Sequence, residues 1–514
     1  MRPPRIVLAL LATLALILTG CSSGESVPQA GGGNAGGGGG AGGQTLVAAI
    51  AAEPDQFDPH NTSAYAAFQV LENVYDTLVQ PNAELEFEPA LAESWETSVD
   101  GLTWTFRLRD GVRWHNGREF VADDVVYSMN RLKDGDLTNS YLLSSVAQVT
   151  ASDPRTVVFT LSRPTADFLA NIGGFKAAAI VARENVEDKT IASKPIGTGA
   201  FTFQSYTGGQ GVQLARFDDY WGGEVALAGV QYRFIPEPTA ALTALRTGEV
   251  QWTDNVPPQQ VQALQGDDSV VLGQTESTDY WYVAPNHARA PFNDPRVRRA
   301  LALAIDREAI TQAATFGNAT PNQTAIPPGR PYAVDYAPYE RDVAEARRLI
   351  QEAGVAGRTV DLMVTSEYPE TVTASEVIAA QLGEVGLNVQ PRTLGFSQWL
   401  AEQTAGTFDM LMLGWLGNLD PDDYYYEQHH TNGSFNAQKY SNPAVDAALD
   451  QGRSRLDESA REQAYDTAVR AIVDDVSYVY LYNPQVTQAH TPQLTGYEVR
   501  ADRAIRWAGA ALEG

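Results

Sequence analysis

Residues 414–433, GWLGNLDPDDYYYEQHHTNG, set Asp420, Asp422, Asp423 and Glu427 beside three consecutive tyrosines and the chain's only His-His pair. Carboxylates with imidazoles can exchange protons, hold a metal ion or line a polar pocket. Catalysis finds no second signature: there is no GxSxG elbow, no SxxK with its companion motifs and no HEXXH. The aspartates resemble half of a calcium loop, but the glycine and terminal glutamate such a loop needs are missing. Adjacent histidines point oppositely on a strand and diverge by about 100° on a helix. His429 and His430 therefore read as solvated or separately hydrogen-bonded residues, with a metal site as the competing reading. No metal and no cofactor is expected.

The chain's address narrows the choice. Arg2 and Arg5 precede an uncharged apolar run over residues 6–18, too short for a comfortable membrane span and right for a secretory signal. The run ends LTGC, which resembles the bacterial lipoprotein signal, so residues 1–20 read as a signal peptide and Cys21 as the lipidated residue. Cys21 is the only cysteine, which excludes an internal disulfide, a cysteine zinc site and a thiol nucleophile. Residues 21–44 are Gly-rich and lack apolar anchors, the composition of a flexible tether. A net charge of −27 without any basic stripe excludes nucleic acid as a partner.

Some 470 further residues suffice for two or three substructures. LTWTFRL, 102–108, alternates Leu102, Trp104, Phe106 and Leu108 in the two-residue period of a strand. From Ala122 the period changes, with Val125, Val126, Met129 and Leu132 on one helical side. Helices are predicted at 239–249, ending near Gly248, and after Asp294 and Pro295, a cap followed by a first-turn proline. Others bury Val343, Ala346, Leu349 and Ile350, then Val377, Ile378 and Leu382, and a last one spans about 458–474. VQWTD, VDLMV and YVYLYN read as strands, and TFDMLMLGW, 407–415, as an interior strand. This strand, helix, strand succession favours a partly parallel sheet whose loops line a crevice.

Four ordered blocks carry a resemblance: LAESWETSVDGLTWTFRLRDGVRWHNGREFVADDVVYSMNR at 91–131, PIGTGAFTFQSY with FDDYWGG at 195–223, PFNDPRVRRALALAIDREAI at 291–310, and FDMLMLGWLGNLDPDD at 408–423. Together they resemble the bacterial extracellular solute-binding proteins of the peptide and nickel type, family 5, the substrate receptors of ABC importers. The resemblance implies an α/β, two-lobed periplasmic-binding-protein-like fold (class II, large cluster C type), with an extra domain inserted in the first lobe. It places lobe I at 45–76, 191–275 and 486–514, the insertion at 77–190 and lobe II at 276–485. It further implies a monomer, not an enzyme, anchored by lipid on the extracytoplasmic face or periplasmic. Its partners would be a short peptide, or another small solute such as an oligosaccharide, nickel or a metallophore, and a membrane permease with its ATPase. Within the family signature, Gly101, Gly111 and Gly117 read as turn residues, and Trp104, Phe106 and Trp114 as core.

For the pocket, Trp415 is expected at the end of its strand, offering its ring to a ligand. Glu367 and Tyr368 lie in the loop after VDLMV, either reaching the same crevice or solvated. Tyr424 and Tyr425 are expected to build a side-chain subsite or to pack between lobes, and Trp281 lies near the first crossing into lobe II. In peptide-binding relatives an aspartate three residues after the tryptophan pairs with the peptide ammonium. Here that position is Asn418, which brings no charge, and Glu367 or Asp420 is the expected substitute.

Overall fold

Twelve residues, Val479–His490, form one strand that joins two halves of a mixed sheet. The computed structural model describes residues 43–174 and 178–513; the signal peptide, Cys21 and nearly all of the tether lie outside the described residues. In the first half, Thr45–Ile50 runs parallel to Gly229–Phe234 and to Trp252–Thr253. In the second, Tyr280–Pro285 lies between Met410–Trp415 and the start of the long strand, and Thr359–Thr365 runs parallel to Asn388–Leu394.

The second half is covered on both faces, which explains why TFDMLMLGW reads as a continuous apolar run. All six residues of Tyr280–Pro285 are buried and alternate between two cores. Trp281 and Val283 join Val297, Leu301 and Ile378 on one side; Tyr280, Tyr282 and Ala284 join Trp399, Tyr425 and Tyr465 on the other. The helix Pro295–Ala304 starts as its sequence predicts, with Asp294 accepting from the Arg296 amide. Residues 92–161 hold a separate four-stranded antiparallel sheet, packed by the helix Ala122–Asp134 around Phe106, Trp114, Met129 and Phe159. Val121 offers no cap to that helix; Asp124 reaches back to the Val121 amide at 3.0 Å.

Two local expectations need correction. VQWTD yields only the two-residue strand Trp252–Thr253, so Asp254 already stands beyond a strand end. VTQAH lies within the long strand, which runs on to His490. After Trp415 the chain does not stay a loop: Asp420 caps the helix Pro421–His429, Pro421 takes its first position and Asp423 closes the capping box.

The chain crosses between the two halves twice, at residues 277–279 and 483–485, side by side. Ser277 Oγ donates to the Pro484 carbonyl at 2.5 Å, and Asn483 Nδ2 donates to the Asp279 carbonyl at 2.8 Å. Among the described residues no helix is long and apolar enough to cross a membrane.

Candidate ligand-binding cleft

A cavity of about 410 Å³ opens beside these crossings, walled by both halves of the sheet. The first half contributes Tyr65, Gln69 and Asp254; the second contributes Trp281, Glu367, Tyr368 and Tyr482. Most of these positions follow from strand ends. Asp254 comes directly after Trp252–Thr253, while Glu367 and Tyr368 stand between the strand Thr359–Thr365 and the helix Pro369–Glu384. Strand ends of this kind line ligand crevices in open α/β sheets because the loops there are free to vary.

A smaller chamber of about 60 Å³ shares Tyr65, Trp281, Tyr368 and Leu416 with the first and adds Phe396, Leu413, Trp415 and Phe435. Its rings meet edge to face, Trp281 on Tyr368 at 5.6 Å and Tyr368 on Phe396 at 5.9 Å between centroids. Trp415 sits 4.7 Å from Phe435. Gly414 is required for this packing, since a Cβ there would stand 2.9 Å from Trp281 Cε2. The annex is therefore an aromatic slot, with no charged side chain on its wall.

The main chamber, unlike the annex, carries charged side chains among its apolar ones. Asp254 Oδ2 accepts from Gln69 Nε2 at 2.5 Å, and its Oδ1 is buried without a hydrogen-bond partner. Burial pushes the Asp254 carboxyl up to about 6, against the opposing pull of the Gln69 bond and of Arg503. Burial likewise raises Glu370. Glu367 moves the other way: burial would raise it, but bonds from the Thr365 and Ser366 hydroxyls and the Phe396 amide hold it low. Arg503 is paired with Asp279; burial alone would weaken its charge, and Asp279 holds it protonated. The Tyr482 hydroxyl, on a side chain 1% exposed, is buried without a partner on the same wall.

The structure brings only some of the expected residues to this cleft. Trp281, Glu367 and Tyr368 lie on the chamber wall, and Trp415 on the annex. Asn418 is 2% exposed and donates to the Thr278 carbonyl at 3.1 Å and to the Trp415 carbonyl at 3.2 Å. It holds the crossing segment at Thr278 in place and lines neither chamber. Asp420 caps its helix and pairs with Arg461, so it is no substitute acid within the cleft. Tyr424 gives its hydroxyl to the Thr278 carbonyl at 2.7 Å and stacks on Tyr280, while Tyr425 is fully buried in the core. Neither tyrosine reaches the chambers, because the Asp-Pro helix start turns that segment into the body of the half. His429 places its ring nitrogens 2.8 Å from Ser477 Oγ and 2.7 Å from Tyr480 Oη, and burial lowers it to about 3.

Sequence reasoning missed Asp254, Gln69, Tyr65, Glu370 and Arg503. Asp254 alone left a signal, an acid directly after a strand-like run. Arg503 arrives from the far C-terminal segment, and nothing local announces it.

A cleft between the two halves with both charged and apolar side chains on its walls, an aromatic annex and two backbone crossings behind it is a solute-binding arrangement. The comparisons agree with it. Residues 86–436 match the family model of bacterial extracellular solute-binding proteins, family 5, middle region. Glutathione-binding protein GsiB of Escherichia coli strain K12 is 28% identical over 484 residues, spanning 91% of this chain and 94% of that relative. The periplasmic binding protein DppA of Helicobacter pylori, ABC transporter-associated and solved with peptide STSA, superposes with a TM-score of 0.85 at 28% identity, covering 92% of this chain and 98% of that one. AgaA of A. tumefaciens R10, solved with agropinic acid, gives 0.84 at 25% identity over 91% and 99%. The chain thus has the two-domain fold of these periplasmic proteins and belongs to the family 5 bacterial extracellular solute-binding proteins.

Proposed function

We propose that this receptor takes up short peptides between its two lobes and presents them to an ABC permease and its ATPase. The observation that carries the reading is the chamber itself, built from both halves of the sheet and leading into an aromatic slot. A ligand spanning Asp254 on one side and Trp281 with Tyr368 on the other gains its full set of contacts only when the halves are together, which is what couples binding to closure. Lobe boundaries near 276 and 485, at the two crossings, fit this reading, as does an insertion over 77–190. Lipidation of Cys21 would hold a monomeric receptor at the extracytoplasmic face. No step of catalysis is needed: the solute is released unchanged.

Relatives support peptides as the ligand class, since DppA was solved with STSA. A second reading, a non-peptide solute in the same cleft, is favoured by one observation: Asn418 donates to carbonyls where peptide-binding relatives would present an acid. Mass spectrometry of the ligand that copurifies with the protein tests both. A peptide is expected, and a sugar, opine or chelated metal would replace the first reading with the second.

A further inference from the structure

The described walls of the main chamber carry four carboxylates, Glu237, Asp254, Glu367 and Glu370, and a single guanidinium, Arg503. That guanidinium is already neutralised by Asp279. No lysine lines either chamber. Two of the acids are spoken for: Glu237 caps a helix through the Ala240 amide, and Glu367 takes the Thr365 and Ser366 hydroxyls. Asp254 keeps one buried oxygen without a partner, and burial raises the Glu370 carboxyl against the pull of Arg503. Across the same space stands the unpartnered hydroxyl of Tyr482.

We infer that the chamber selects ligands of net positive charge, seating a primary ammonium or guanidinium against Asp254 with Glu370 adding to the field and Tyr482 able to accept a further hydrogen bond. The inference rests on the reading of this cleft as the ligand site and deepens it to a charge class. In a cavity screened from water an unpaired carboxylate is costly, and a ligand cation relieves it. A ligand carboxylate would find only Arg503, and would take it at the expense of Asp279. A zwitterionic peptide with no basic side chain would leave the surplus negative charge uncompensated. The expected class is therefore basic peptides or other organic amines, and disfavours an acidic ligand such as the glutathione named for GsiB.

Isothermal titration of the mature protein at pH 7.5 and low salt, against Ala-Lys-Ala, Ala-Ala-Ala, Ala-Glu-Ala, agmatine and glutathione, tests this. The lysine peptide should bind at least about tenfold more tightly than the glutamate peptide. Asp254→Asn and, separately, Glu370→Gln should shrink that ratio, each in a variant shown to melt cooperatively. Equal or tighter binding of the glutamate peptide or glutathione overturns the inference. Peptide binding without charge preference leaves the peptide reading standing and removes this one. Agmatine binding that depends on Asp254, with all peptides silent, does the reverse, and silence across the whole panel overturns both.

Discussion

Replacing Asp254 by asparagine should make the empty receptor more stable and the receptor less able to bind. Burial raises the carboxyl to about 6 in the folded protein against a reference value of 3.8, so its charged form is penalised there. The native state holds this proton where the unfolded chain has released it. Stability is therefore fully present below pH 3.8 and lost as pH rises through 6. A difference of about two units corresponds to roughly 3 kcal/mol above pH 7. Asparagine keeps an acceptor for Gln69 and never ionises, so it recovers most of that. With an unfolding entropy on the order of 1 kcal/mol/K for a body of this size, the melting midpoint should rise by about 2–3 °C at pH 7.5 and hardly at all at pH 4. Differential scanning calorimetry at the two pH values reads this directly. An equal rise at both, or a fall at pH 7.5, would refute the argument that an uncompensated carboxylate is held in the cleft. Saturation with a cationic ligand should then narrow the gap, because the ligand stabilises the wild type more.

Two further substitutions probe the walls. Asn418→Asp removes both donors to the Thr278 and Trp415 carbonyls and sets a buried charge beside them, at a cost of roughly 2–5 kcal/mol; urea denaturation should show it, and tighter binding of free-amine peptides at unchanged stability would contradict it. Gly414→Ala drives a methyl onto the Trp281 indole and should cost about 1–3 kcal/mol from overpacking. It should also shift tryptophan fluorescence and weaken peptide binding; an unaltered spectrum with unaltered affinity would mean the indole does not form the wall.

How much of this could be read from the chain differs by physical cause. Helices with a local start signal and a clear stripe were legible: Asp294-Pro295 and the Glu458–Asp474 helix stand where their residues put them. The helix Pro421–His429 carried the same kind of signal, Asp420-Pro421 with Asp423 at the third position, yet its tyrosines and histidines drew attention to ligand chemistry instead. Its tyrosines give no clean apolar stripe because the helix is buried on several sides. The cleft was legible only as an address, the ends of strands. Its chemistry was not, because Gln69, Asp254, Glu370 and Arg503 meet from four distant segments and only folding brings them together.

That distance also changes what the stretch at 414–433 is for. Gly417 gives its amide to Asp279 Oδ1 at 2.8 Å, and Asn418 and Tyr424 both donate to the Thr278 carbonyl. The segment thus grips one interlobe crossing from the second half, while Arg503 grips Asp279 from the C-terminal segment beside the first. Arg503 is also the only described cation on the chamber wall. A ligand anion drawn to Arg503 would have to loosen the pair that holds the crossing, whereas a ligand cation at Asp254 leaves it intact. On the proposed reading, the charge of the solute and the pair that holds this crossing are therefore set against each other by one guanidinium.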